Sequence, residues 1–285
     1  MTNTIRGVLL ASVFAFSAAN AQDSAPKPGL EGSNSPAFLP MPEPVFENFK
    51  KPETGIDPKV WPVADGPEAD FIKSRHARLP RKLSYVTRHV LANKPDESKL
   101  SEVTEEFTVM QDGYVYVRSN GGVEASELRG TVVTWLGLLP VYSRSHVTFQ
   151  ITVLVEGSVT KTIVDMGGTN LKPSTLAPGA AFTADFAYNN QIFTRSIGAF
   201  LTTAPKPAER RLPGGLNCKV GERVPASDLY AEFTGTALKV ACTVNAPQPT
   251  TTLAYYLEDY AWFFTTETKR GGNSSEAKIT SMSKN

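Results

Sequence analysis

The sequence contains few of the residues that metal sites and covalent catalysis use most often. Among its 285 residues are two cysteines and three histidines, and no histidine lies near a cysteine, as the ligand spacing of a zinc site requires. The G-x-S-x-G, H-E-x-x-H, EF-hand, Walker and G-x-G-x-x-G motifs are all missing. Each absence weighs against one mechanism, although residues distant in sequence can still assemble an active site. We predict no metal and no cofactor.

The sequence also has no excess of charge of either sign. It contains 29 Lys and Arg residues against 28 Asp and Glu residues, and the formal net charge is +1. A nearly neutral chain produces no overall field that would attract nucleic acid. We therefore expect no nucleic-acid partner.

Long apolar runs are missing beyond the N-terminus. The longest covers residues 131–142 and is interrupted by Gly137 and Pro140. A transmembrane helix needs about 20 predominantly apolar residues, so this run is too short. The mature protein is expected to be soluble and not to span a membrane.

The N-terminus, in contrast, has the three parts of a secretory signal. Arg6 supplies a positive charge, residues 7–19 are uncharged and mostly apolar, and Ala19-Asn20-Ala21 places small residues at a cleavage site. We predict a signal peptide over residues 1–21, cleaved after Ala21, and a secreted or periplasmic protein. Removal of Arg6 would bring the formal net charge from +1 to zero.

Cys218 and Cys242 are the two cysteines of the chain. In an exported protein such a pair most often forms a disulfide. Two free thiols, or half of a metal or redox site, are the alternatives, but the spacing does not fit a C-x-x-C motif. We predict a disulfide, which the loop-entropy relation values at about 3.5 kcal/mol for a closed loop of about 25 residues.

Prolines concentrate in one segment after the signal. Residues 26–67 contain ten of the 21 prolines, and proline interrupts both helices and central strands. We predict an extended, Pro-rich arm or linker over residues 22–66. Its large apolar side chains leave open whether part of the arm lies against a folded domain.

The remainder of the chain alternates between apolar and polar residues. Residues 147–155 alternate strictly, with a turn expected at Glu156-Gly157, and residues 105–121 read as a hairpin with turns at Asp112-Gly113 and Asn120-Gly121. This period is typical of antiparallel strands with one buried face. We predict a mainly β protein whose larger domain is antiparallel and resembles a β-sandwich.

A second break, rich in proline and glycine, divides this β region. It covers residues 203–215 and is expected to be a linker. It separates a mainly β domain at residues 67–202 from a small β-rich domain at residues 216–285. The small domain contains both cysteines, and a small core benefits from a covalent link.

One segment, residues 71–94, is rich in positive charge and has no acidic residue. In a neutral protein it is a candidate contact for an anionic envelope component. The alternative is a solvated face whose acids, such as Glu102, Glu105 and Glu106, lie beside it in space. The candidate contact residues are Lys73, Arg75, Arg78, Arg81, Lys82 and Arg88.

Glu258 and Asp259 lie among aromatic residues, as carboxylates do in sugar-binding and glycosidase sites. Adjacent residues on a strand point to opposite faces, so these two could not form one catalytic pair if they lie on a strand. Core packing with a surface carboxylate is the favoured interpretation.

Two hypotheses about function follow. The first is an exported, non-catalytic protein of the cell envelope that binds or scaffolds, with an anionic envelope component or another protein as its partner. The alternative is a hydrolase of glycan or peptidoglycan that uses dispersed Asp and Glu residues. Two carboxylates about 5–10 Å apart in one cleft would favour the hydrolase. The sequence predicts no oligomeric state.

Overall fold

The structure, a computed structural model, describes residue 64 and residues 66–110, 113–123, 126–151, 154–196, 208–245 and 250–284. The predicted signal peptide lies outside the described residues. So does the predicted Pro-rich arm, except for residues 64 and 66.

Within these ranges one α-helix precedes twelve strands. The helix is α1 (Gly66–His76), and single 3-10 turns lie at Pro173–Thr175 and Ala226–Asp228. The strands are β1 (Lys82–Leu91), β2 (Lys94–Val109), β3 (Tyr114–Val123), β4 (Ser126–Trp135), β5 (Leu139–Ile151), β6 (Leu154–Thr169), β7 (Ala181–Ser196), β8 (Ala208–Pro225), β9 (Thr236–Asn245), β10 (Thr250–Leu257), β11 (Trp262–Arg270) and β12 (Asn273–Ser283).

The strands form one closed antiparallel barrel. Each strand pairs with its neighbours in sequence, and β12 pairs with β1 from Lys82↔Ser283 to Val90↔Ser274. The prediction of a mainly antiparallel β fold is confirmed. A sandwich was expected, whereas the pairing of the first and last strands closes the sheet and leaves no edge at that seam.

The segment predicted as a linker contributes to β8. Residues 208–215 belong to this strand, and Ala208–Lys219 pairs with Ala181–Ile192 of β7. Residues on both sides of the expected break therefore lie in one sheet. Among the described residues, pairing of β8 with β9 begins at Gly215. Within the described ranges, Pro213 thus pairs with β7 alone, and a strand tolerates a missing N–H on a side without a partner.

Two of the predicted turn positions lie inside strands. Asn120-Gly121 is inside β3, and Glu156-Gly157 is inside β6. The strand ladders continue past these dipeptides, to Val123↔Ser126 and to Ile151↔Leu154. Cross-strand pairing therefore outweighs the local turn preference of these glycine dipeptides.

Two apolar cores lie on opposite faces of the same strands. Tyr114 and Tyr116 of β3 belong to one core, whereas Val115 and Val117 belong to the other. Successive side chains of a strand point to opposite faces, so β3 is buried on both sides. The same division separates Phe263 from Trp262 and Phe264 on β11. This explains why apolar residues are adjacent in these strands and do not alternate with polar ones, a pattern typical of sheets covered on both faces.

The end of β4 and the start of β11 meet between the two cores. The backbone N–H of Phe263 donates to the carbonyl of Leu136 at 2.8 Å. Gly137 adopts a φ of 80°, and a Cβ at this position would lie 2.5 Å from the carbonyl oxygen of Phe263. Only glycine fits this approach without a shift of the backbone.

Helix α1 packs against this meeting point. Its buried residues are Ile72 and His76, and the His76 Nε2 lies 3.1 Å from the carbonyl oxygen of Ala261. Glu68 in the first turn accepts a hydrogen bond from the backbone N–H of Ser174 at 2.9 Å. Pro80 follows shortly after the helix, where it prevents continuation.

The structure contains the predicted disulfide between Cys218 and Cys242. The two residues lie directly opposite each other on β8 and β9, and both are buried in the core that contains Tyr114 and Tyr116. The link therefore joins neighbouring strands within this core.

The variant C218A/C242A is expected to have a free energy of unfolding lower by about 3.5 kcal/mol, because the disulfide restricts the unfolded chain. The control N217A/T243A changes the adjacent exposed pair on the same strands and should cost less than about 0.5 kcal/mol. Urea titrations of the three proteins measure both values. Equal losses in the two variants would show that the disulfide does not stabilise the barrel.

Candidate functional site

A basic groove lies where β12, β1, β2 and β3 run side by side. It is a surface depression of about 520 Å³. The residues that line it come from the start of β1, the end of β2, the middle of β3 and the end of the chain: Arg81, Lys82, Glu106, Phe107, Thr108, Arg118, Ser283 and Lys284.

Strand register explains why these residues meet. Ser283 lies opposite Lys82, Lys82 lies opposite Glu106, and Glu106 lies opposite Arg118. Directly opposite residues have their side chains on the same face, and neighbouring strands are about 4.8 Å apart. The four residues therefore form one row across four strands.

The groove has more positive than negative charge. Arg118 is ion-paired with Glu106, and about two fifths of each side chain is exposed (43% and 44%). Arg81, Lys82 and Lys284 are exposed, and none of them has an ion-pair partner among the described residues. Four cationic side chains thus surround one carboxylate.

The six predicted contact residues do not form one surface. Arg81 and Lys82 line the groove. Arg88 lies six positions further along β1, about 20 Å away at the rise of an extended strand, and Lys73 is exposed on α1. The acids proposed as neighbours do lie beside this segment, since Glu102 and Glu106 pair with Val86 and Lys82.

Arg75 and Arg78 hold α1 against the turn between β10 and β11. The Arg75 Nε donates to the Glu258 carbonyl at 3.0 Å, and its guanidinium lies 3.7 Å from the centre of the Phe71 ring. Arg78 lies 3.6 Å from the Asp259 carboxylate. These two arginines contact the protein itself.

Glu258 and Asp259 lie in this turn and not on a strand, because β10 ends at Leu257. Ala261 completes the turn with a φ of 47°. Glu258 accepts two hydrogen bonds from Arg223, at 2.9 and 3.1 Å. Each carboxylate is therefore paired with a different arginine.

Arg118 and Lys284 were not among the residues predicted from the sequence. Both are far from the basic segment in sequence, and neither lies in a cluster of positive charge. Only the strand register, through Glu106↔Arg118 and Lys82↔Ser283, brings them to the groove.

A buried carboxyl group lies directly behind the groove. Glu105 is next to Glu106 on β2, so its side chain points to the opposite face, into the barrel. The Tyr85 hydroxyl donates to its Oε1 at 2.9 Å, and the Ser119 hydroxyl donates at 3.5 Å. Burial raises the pKa of Glu105 to about 7, and the two hydrogen bonds oppose this shift.

Two buried histidines have the opposite shift. Burial lowers the pKa of His76 and of His89 to about 4, and His89 lies 3.0 Å from the Ser101 hydroxyl. Both rings are therefore neutral near pH 7, and their contribution to stability is lost on acidification from about 6.5 to about 4.

In the described part of the chain, no group of three or more His, Cys, Asp or Glu residues is placed to hold a metal ion. No helix in that part has the length and apolar character needed to cross a membrane.

The sequence matches no protein-family model and no curated protein. Among solved structures, it is similar to the crystal structure of a β-barrel-like protein of the domain of unknown function DUF1849 from Brucella abortus. The sequence identity is 11%, the match covers 73% of this chain and 99% of that chain, and the TM-score is 0.35. A similarity at this level implies nothing about function.

The pKa of Glu105 predicts a pH-dependent stability. A pKa raised from 4.5 to about 7 on folding means that its contribution is fully present below about 4.5 and is lost as the pH rises through 7. The side chain of E105Q is neutral at every pH. The free energy of unfolding of E105Q, relative to that of wild type, should therefore rise by roughly 2–3 kcal/mol between pH 5 and pH 8.

Urea titrations at several pH values measure this difference, in which the histidine effects cancel. The control E106Q removes the adjacent exposed carboxylate. Its free energy of unfolding relative to wild type should change by less than about 0.5 kcal/mol over the same pH range. A stability difference between E105Q and wild type that does not vary with pH would contradict the shift.

Proposed function

We propose that this protein is exported to the cell envelope and there binds an anionic component through the basic groove, without catalysis. The observation that carries this proposal is a set of three exposed cationic side chains, Arg81, Lys82 and Lys284, gathered around one ion pair. None of the three has an ion-pair partner within the part of the chain that the structure describes. A concave surface with an excess of one charge raises the local concentration of oppositely charged ligands.

Two features support an envelope location. The N-terminal 21 residues have the organisation of a cleavable signal. The disulfide between Cys218 and Cys242 suits an oxidising compartment such as the periplasm or the extracellular space.

The arrangement of carboxylates favours binding over hydrolysis. Glycosidases place two carboxyl groups on either side of the scissile bond. Two depressions formed by described residues bear on this point: the groove contains Glu106 as its one carboxylate, and a second depression has apolar and aromatic walls. Neither brings together the pair that a hydrolase of this type needs.

Reversal of charge in the groove tests the proposal. R81E/K82E is expected to lose, by on the order of tenfold or more, the retention of the mature protein on isolated anionic envelope fractions at low salt, because both cations face the ligand. The wild-type retention should weaken as salt rises from low to moderate concentration.

The matched control is K73E/R88E, which reverses two exposed charges of the same segment outside the groove. It changes the net charge equally and should retain binding within about twofold of wild type. If the two variants lose retention equally, or if R81E/K82E is retained as well as wild type, the groove is not the binding surface.

Export is tested separately. Expression of the full chain in a secreting host should yield a protein that begins at Gln22, since Ala19-Asn20-Ala21 provides the cleavage site. Intact mass and N-terminal sequencing measure the start. A full-length protein that remains inside the cell would contradict an exported function.

A further inference from the structure

Glu106 is the one acidic residue among those that line the groove, and its position there is central. Along the row across the strands it lies between Lys82 and Arg118. Its carboxylate pairs with Arg118, but Arg81, Lys82 and Lys284 have no ion-pair partner among the described residues. A single carboxylate supplied by the protein therefore leaves most of the positive charge uncompensated.

The ion pair between Glu106 and Arg118 is open to displacement. Both side chains are substantially exposed, at 44% and 43%. Exposed ion pairs are weak because water and salt screen them and because two long side chains must be held in place. An incoming group with more negative charge can replace the carboxylate at Arg118.

We propose that the groove binds a phosphate or diphosphate group, which displaces Glu106 from Arg118. This inference rests on the proposed binding function and names the ligand chemistry of the same site. Glu106 then acts as a competitor built into the protein, and it sets the affinity of the groove.

The chemistry of the lining residues supports phosphate over a single carboxylate. Arg81 and Arg118 present planar guanidinium groups, whose parallel N–H donors match two oxygens of a phosphate. Lys82 and Lys284 add compact positive charges, and the hydroxyls of Thr108 and Ser283 can donate to further oxygens. A group with several oxygens and more than one negative charge uses all of these donors.

The experiment measures pyrophosphate binding to the mature protein by isothermal titration calorimetry. If Glu106 competes with the ligand, E106Q should bind about five- to tenfold more tightly than wild type. R118Q should bind at least about tenfold more weakly, because the guanidinium that receives the phosphate is lost. Circular dichroism checks that each variant folds.

The matched control is E222Q. Glu222 pairs with Lys239 on a different part of the barrel, at 3.6 Å, so this variant has the same change in net charge outside the groove. It should bind pyrophosphate within about twofold of wild type. Tightening in E222Q equal to that in E106Q would overturn the proposal, because net charge alone would then explain the effect.

A second arm identifies the source of the phosphate. Vesicles of phosphatidylcholine with phosphatidic acid are compared with vesicles of phosphatidylcholine alone. Binding to the first that tightens in E106Q indicates a lipid headgroup, whereas binding of pyrophosphate without vesicle binding indicates a soluble phosphate compound. Both outcomes support the inference. If the protein binds neither pyrophosphate nor the vesicles with phosphatidic acid, the inference is overturned.

The result also separates this inference from the proposed function. Suppose that R81E/K82E abolishes retention on envelope fractions, but E106Q binds pyrophosphate no more tightly than wild type. The groove then remains a binding surface. This result shows at the same time that a phosphate ligand does not displace Glu106 from Arg118, which overturns the inference.

Discussion

The pairing of β1 with β12 is the constraint on which the rest of the structure depends. It joins strands from the two ends of the described chain and closes the sheet. It also sets Lys82 opposite Ser283, while the next ladder sets Lys82 opposite Glu106. A shift of one residue would turn every side chain of β1 to the other face, so this register determines both the groove and the interior.

The two faces of β2 contribute to the groove on one side and to the interior on the other. Glu106 faces the groove and pairs with Arg118, while Glu105 faces the interior and accepts a hydrogen bond from Tyr85. The exposed carboxylate remains in contact with solvent and can be displaced. The buried one loses hydration, which raises its pKa to about 7. Neighbouring residues of the same type thus take different roles through their environment.

Local patterns in the sequence predict the strands well but not how they assemble. The alternation around residues 147–155 correctly indicates β structure, and the disulfide predicted for the two cysteines of the chain is present. The barrel closes through residues that lie near opposite ends of the described chain, and no local sequence pattern predicts such a contact. The turn at Glu258 was also missed, because the aromatic residues on both sides resemble one continuous strand.

The same distinction applies to the candidate site. Arg81 and Lys82 could be found from a local excess of positive charge. Arg118 and Lys284 could not, because they come from other strands and gain their meaning from register. Arg75 and Arg78 belong to the same basic segment, yet they contact Glu258 and Asp259 in the turn after β10. Composition therefore identifies a charged segment, and only the fold decides which of its charges are available.

The most direct test of this account is a disulfide trap across the seam. Val86 and Lys278 are register partners on β1 and β12, so V86C/K278C should form a second disulfide, seen as a mass loss of about two hydrogens. V86C/T280C, displaced by two residues, should leave two free thiols because diagonal neighbours are too far apart. A disulfide in V86C/T280C and none in V86C/K278C would contradict the register, and with it the groove.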